Sequence, residues 1–180
     1  MNDSLETAVL GGGCFWCLEA VFAEVAGVHE VTSGYAGGQR ENPTYAQVCS
    51  GATGHAEVVR LRFDPSVVGY RELLDIFFTI HDPTQLNRQG NDVGPQYRSA
   101  IMPQDQAQEE IAREAVQAQE NSGVWKAPVV TTIEPGARFW PAEAEHQDFF
   151  QRNALQPYCQ FVIAPKLEHA RKAHPQRVRS

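Results

Sequence analysis

Nowhere does the 180-residue chain hold the roughly 20 consecutive apolar residues that a bilayer-crossing helix requires, so no membrane span is expected. The start, Met1-Asn2-Asp3-Ser4-Leu5-Glu6, lacks both a basic run and an apolar stretch, and no signal peptide is expected. Positive charge is also short: 15 basic residues face 22 acidic ones. The resulting net charge of −7 argues against a nucleic-acid binder that works by phosphate attraction. There is no internal repeat and no low-complexity tract, which excludes solenoid and fibrous architectures. Cysteine is scarce, with four residues at positions 14, 17, 49 and 159, too few for a fold held by disulfides. What is present is ordinary for a globular domain, 42% hydrophobic and 21% charged residues. In such a chain a C-x-x-C pair points to catalysis or metal binding rather than to a structural bridge.

The hydrophobic pattern predicts alternating short strands and helices. Thr7–Leu10 reads as a buried strand, broken by Gly11-Gly12-Gly13, and Cys14–Val25 as a helix with Leu18, Val21, Phe22 and Val25 on one stripe. Val28–Tyr35 reads as a strand and Tyr45–Cys49 as a short helix. In Glu57–Phe63, Val59, Leu61 and Phe63 share one face and Arg60 and Arg62 the other; period two puts Glu57 on the apolar face. Gly69–Ile80 and Gln104–Asn121 read as helices, Ser99–Met102 and Val129–Ile133 as strands, and Ala142–Phe150 as a helix. Residues 81–98 read as a long polar loop, a length usually tied to function or disorder. The irregular alternation predicts an α+β fold with one mixed sheet. Residues 170–180 carry Arg171, Lys172, Arg177 and Arg179 and no acid, and are expected to form a solvated, frayed tail.

Cys14 and Cys17 follow a predicted strand and open a predicted helix. Residues three apart on a helix have Cα atoms about 5 Å apart, inside the roughly 4.4–6.8 Å range for a disulfide. At the helix start, free N–H groups favour a thiolate, which makes Cys14 the better nucleophile and Cys17 the natural resolving thiol. Phe15 and Trp16 beside it offer an apolar wall. The opposing reading is a pair of buried, inert cysteines with core aromatics. A zinc site needs a second ligand pair, and the sequence has no second C-x-x-C, so no metal is expected.

These residues resemble a known family. Gly12-Gly13-Cys14-Phe15-Trp16, Gly54-His55-Ala56-Glu57, His81-Asp82-Pro83-Thr84-Gln85, Gly90 through Ser99, and Tyr158-Cys159-Gln160 through Leu167 are similar to peptide methionine sulfoxide reductase A, over residues 7–168. The resemblance implies reduction of the S epimer of methionine sulfoxide, free or in proteins, with thioredoxin as reductant and no cofactor. It implies a two-layer α+β sandwich with a ferredoxin-like core, in a cytoplasmic monomer with one catalytic domain over residues 1–169 and the flexible basic tail of 170–180 beyond it. Carried over residue by residue, Cys14 is the nucleophile and Glu57 the acid that protonates the sulfoxide oxygen. Phe15 and Trp16 hold the substrate methyl group, Tyr45 and Tyr97 hydrogen-bond the oxygen, and Asp92 lines the pocket.

Glu57 on an apolar face is expected to have its pKa raised by desolvation, as an acid working near neutrality requires. His55 and His81 are expected to be structural, and Cys49 a buried structural thiol. Many family members have Gly after Cys-Phe-Trp and resolve with cysteines near the C-terminus; here that position is Cys17. Three assignments follow: Cys17 alone, Cys159 alone, or a relay through both, with Cys17 favoured as first partner because its approach needs no loop closure. A thioredoxin-like disulfide oxidoreductase and a metal- or redox-sensing module are the rival readings. The first has no use for Glu57 or for residues 81–98.

Overall fold

The computed structural model describes residues 4–179. Residues 1–3, on which the signal-peptide reading partly rests, and Ser180 lie outside the described residues. In chain order, β1 (Glu6–Gly11) leads to α1 (Phe15–Phe22), β2 (Val28–Ala36), α2 (Tyr45–Cys49), β3 (Ala56–Phe63) and α3 (Tyr70–Thr79). A two-residue hairpin, β4 (Arg88–Gln89) and β5 (Asp92–Val93), precedes β6 (Ala100–Met102), α4 (Gln106–Asn121), β7 (Thr132–Ile133) and β8 (Trp140–Pro141). The chain closes with α5 (Phe149–Arg152), a π-helical turn over Cys159–Ile163, and α6 (Ala164–Ala173).

Six strands form one sheet in the order β7-β6-β1-β3-β2-β8. Only β6 and β7 pair in parallel; the other pairs are antiparallel, so the sheet is mixed. Its centre, β1-α1-β2-β3-α3-β6 with spatial order β6-β1-β3-β2, is the split β-α-β arrangement of a ferredoxin-like core. Leu10, Val59, Leu61, Phe63 and Ile101 meet Leu18, Val21, Phe22, Leu73 and Phe77 across the interface between sheet and helices, all buried. The period-two reading of β3 holds: Glu57 is buried on the helix side, while Arg62 and Arg60 lie on the other, where Arg60 stacks on Phe139.

Where the structure departs from the sequence reading, backbone turns and long-range contacts explain it. α1 stops at Phe22 because the chain turns through Gly27 at φ +94°, beside Val67 and Val68. Residues 81–98 are no unstructured loop: Gly90, at φ +60°, supplies the tight turn of β4–β5, and Pro95–Tyr97 form a 3-10 turn. Ala142–Phe150 is not one helix, since Asp148 at φ +54° interrupts it between a short 3-10 turn (Ala144–His146) and α5. α6 went unread because its buried side chains, Leu167 and Ala170, are too few to mark a stripe.

The basic C-terminal segment is a correction. It is not a frayed tail: Val178 is buried and bridges to Val25, Arg177 O accepts from Ala26 N at 2.8 Å, and Arg179 N donates to Glu24 O at 2.9 Å. Arg177 also pairs with Glu72. Four charges close together made the segment look solvated, but Ala170 and Val178 are both buried in the core, Val178 beside Val25. Removing residues 174–180 is expected to cost about 2–3 kcal/mol, the value of one buried Val and its backbone bonds, read as a lower denaturant midpoint at unchanged slope.

Candidate active site

Gly13, at φ +89°, turns the chain from β1 into α1, and its N–H donates to Tyr97 O at 3.2 Å. A Cβ there would meet the Gln89 side chain at 2.8 Å, so glycine is required. The turn places Cys14 at the N-cap of α1, almost buried at 6% exposure. Burial first, then the Glu57 carboxylate and Cys17, push its thiol well above the ordinary range, against the pull of the Trp16 amide and the Tyr158 hydroxyl. The resting nucleophile is therefore a thiol, contrary to the thiolate expected from the helix start; desolvation outweighs the helix-end amides.

Glu57 projects from β3 under this N-terminus. Its Oε1 accepts the Phe15 N–H at 3.1 Å, and its Oε2, fully buried, meets no hydrogen-bond partner among the described residues. Burial raises its pKa to about 8, and Asp92 adds to the rise while the Phe15 bond opposes it. At neutral pH the group is a carboxylic acid with one free oxygen.

Aromatic rings surround Cys14 and Glu57. Phe15 is fully buried and lies 6.2 Å from the Tyr45 ring. Trp16 stacks on Phe149 at 3.7 Å and faces Tyr45 at 6.4 Å. Burial, followed by the charge of Glu57, pushes the phenols of both Tyr45 and Tyr97 up, and Cys14 acts on each, which places both hydroxyl-bearing rings about the same two groups. Cys14 also lines a cleft of about 390 Å³ together with Asp92, Tyr158, Val162 and Lys166. Thus Cys14, Glu57, Phe15, Trp16, Tyr45, Tyr97 and Asp92, scattered over 84 positions of sequence from 14 to 97, converge on one place.

Cys17 is buried one turn along α1, with its Sγ 3.8 Å from Tyr158 Oη. Cys159 is buried in the π-helical turn, and burial alone pushes its thiol up; no other thiol acts on it. Cys49 is not the buried structural thiol expected. It is half-exposed at the end of α2 and faces the site, where Tyr45, Glu57 and Tyr97 all influence its thiol. His55 and His81 are structural. His55 accepts from Gly38 N at 3.0 Å and contacts Arg40 O at 2.7 Å, pinning the loop after β2. His81 lies between Phe77 O and the Ser99 hydroxyl, and burial lowers its pKa to about 4.

Four contributors carry no local sequence signal. Glu143 accepts from Tyr35 Oη and from Tyr45 N, both at 2.9 Å, and so ties α2 to β2. Burial works against its ionisation, but these bonds hold the carboxyl below its usual range. His146 packs on Tyr45 at 4.2 Å and accepts from Trp16 Nε1 at 3.3 Å. Buried Glu19 caps the amides of Asp148 and Phe149, at 2.9 and 3.3 Å, and so sets Phe149 against Trp16. Tyr158, beside Cys159, meets Trp16 edge-on at 5.8 Å. Among the described residues, no group of three His, Cys, Asp or Glu side chains is placed to hold a metal ion.

The family model described as peptide methionine sulfoxide reductase matches residues 6–178. The chain belongs to the peptide methionine sulfoxide reductase A family. Membership makes it an oxidoreductase, and the family match runs through the packed C-terminal segment. The peptide methionine sulfoxide reductase MsrA of Ralstonia nicotianae is 55% identical, over 99% of this chain and 96% of its own. Among solved structures, methionine sulfoxide reductase A of Corynebacterium diphtheriae superposes with a TM-score of 0.79 at 38% identity, covering 88% of this chain and 79% of that one. Mxr1 from Saccharomyces cerevisiae, solved in complex with Trx2, superposes at 0.56 with 27% identity, over 82% and 86% of the two chains. Within the described residues no helix is long and apolar enough to cross a membrane.

Proposed function

We propose that this member of the family reduces the S epimer of methionine sulfoxide, free and in proteins, by attack of Cys14 on sulfur with Glu57 as the acid. The observation that carries this reading is the buried Glu57, protonated at neutral pH, with one oxygen held by the amide next to Cys14 and the other free. A sulfoxide oxygen leaves sulfur only when protonated or strongly hydrogen-bonded. Glu57 gives that proton, and Tyr45 and Tyr97 hydrogen-bond the same oxygen. Phe15 and Trp16 hold the methyl group, and Asp92 borders the substrate beside Cys14. In sum, the Cys14 proton ends on the oxygen that Cys14 captures, leaving a sulfenic acid, methionine and Glu57 restored as an acid.

Cys17 then condenses with the sulfenic acid to give a disulfide and water. Its place one turn from Cys14, where it acts on the Cys14 thiol, supports it as first partner. A thioredoxin reduces the bridge by exchange; the solved complex of Mxr1 with Trx2 supports that choice of reductant. A cytoplasmic monomer belongs to the same reading, as the family resemblance implies.

The test supplies the two sulfoxide epimers separately with dithiothreitol. Turnover is expected for the S epimer and not for the R epimer; no S-epimer turnover, or equal rates, overturns the reading. In Cys17→Ser, one methionine per chain is expected without thioredoxin-coupled turnover. Recovery of a Cys14–Cys159 peptide instead of Cys14–Cys17 overturns the assignment of Cys17.

A further inference from the structure

We propose that Tyr158 is a further catalytic residue, whose hydroxyl passes the proton of Cys17 to Asp92 as Cys17 closes the disulfide. This rests on the Cys14–Cys17 route above. A phenol has a single hydrogen, and an ionised carboxylate only accepts. Tyr158 Oη stands 3.1 Å from Asp92 Oδ2, so its hydrogen is committed to Asp92. The phenol oxygen then has only lone pairs to offer Cys17 Sγ at 3.8 Å, within the reach of a sulfur hydrogen bond, and the thiol must donate. Three groups thus form one directed chain, S–H to O–H to carboxylate. It starts at a thiol that is 2% exposed and ends at a side chain lining the open cleft beside Cys14.

The resolving step needs such a path. Cys17 attacks only as it loses its proton, and burial holds that proton on. Lys166 favours the thiolate and Asp92 and Glu57 oppose it, while the Tyr158 hydroxyl would favour it only by turning its hydrogen from Asp92 to sulfur. Lys166 lines the same cleft as Asp92. The Tyr158 ring is braced edge-on against Trp16, which fixes the hydroxyl between its two partners.

Written as bonds, Cys17 S–H gives its proton to Tyr158 oxygen while Tyr158 O–H gives its own to Asp92. The Cys17 electron pair forms the S–S bond to Cys14. The S–O bond of the sulfenic acid breaks, and its pair leaves on hydroxide. Hydroxide takes a proton from water in the cleft, and Asp92 returns one to the same water. The sum is thiol plus sulfenic acid to disulfide plus water.

Tyr158→Phe tests the relay, because it keeps the ring against Trp16 and removes only the hydroxyl. With one equivalent of sulfoxide and no reductant, rapid quenching separates the methionine burst from disulfide formation. The ratio of second-step to first-step rate is expected to fall on the order of 100-fold. The residual second step is expected to rise about tenfold per pH unit, since Cys17 must then ionise unaided. An unchanged ratio in Tyr158→Phe, or an equal slowing of both steps, overturns the proposal. A wild-type burst without a Cys14–Cys17 bridge instead overturns the underlying route, and the relay with it.

Discussion

Cys14→Ser is expected to lose sulfoxide reduction by at least about 10⁴-fold while remaining folded. A nucleophile's removal costs this much when no other group can form the covalent intermediate. Serine oxygen is a harder, far more basic nucleophile than sulfur, and attack at a sulfoxide sulfur would leave no sulfenic acid to resolve. The fold has no reason to suffer. Cys14 occupies the N-cap of α1 without making a side-chain capping bond, and serine is a preferred residue there. The measurement is S-epimer turnover with dithiothreitol, alongside a thermal melt. Dithiothreitol bypasses the resolving thiols, so a loss reports the first chemical step alone. Activity surviving in Cys14→Ser removes Cys14 from its role.

Glu57→Gln is expected to lower kcat/KM by about 10²–10⁴-fold, the usual contribution of a positioned acid. The amide is nearly the same shape, and its oxygen can still accept the Phe15 N–H, so the loss reports the proton rather than the packing. Glu57 titrates at about 8 because burial disfavours its charge. The wild-type rate should therefore fall as pH rises above about 8, and the variant should lack that limb. A wild-type limb that survives in the variant assigns the titration elsewhere.

The same shift has a consequence for stability. The folded state holds the proton up to about 8, while an unfolded carboxyl releases it near 4.5. Between those values the folded state binds more protons, so wild-type stability falls with rising pH; above both it has lost on the order of 5 kcal/mol from this group. Glu57→Gln should escape the loss and be the more stable protein at pH 9, with the gap closing toward pH 4. Parallel stability curves for the two proteins would show that Glu57 ionises freely in the folded state.

Local pattern was enough for much of the site. The C-x-x-C at a strand-to-helix turn follows from three-residue spacing and the glycines before it. Glu57 could be placed facing the core because a strand alternates its faces, and the structure buries it there. The thiol state of Cys14 was misjudged because helix-end amides are visible in a sequence and desolvation is not. Cys49 was misplaced for a related reason: nothing local shows that the end of α2 folds back beside Tyr97, which is 48 residues away.

What the chain determined by itself is the chemistry on offer: a nucleophile, its neighbouring thiol, an acid on an apolar face, and an irregular alternation of strands and helices that reads as α+β, the ferredoxin-like core being implied only by the family resemblance. Tertiary structure alone decided how these groups are held and linked. Glu143 reaches Tyr45 across 98 residues, His146 reaches Trp16 across 130, and Tyr158 reaches Cys17 across 141. Val178 seals the core beside Val25 from a segment whose charge suggested solvent. Periodicity records which face of an element is buried, but a hydrogen bond between distant elements leaves no period, so these contacts become visible only once the sheet has brought them together.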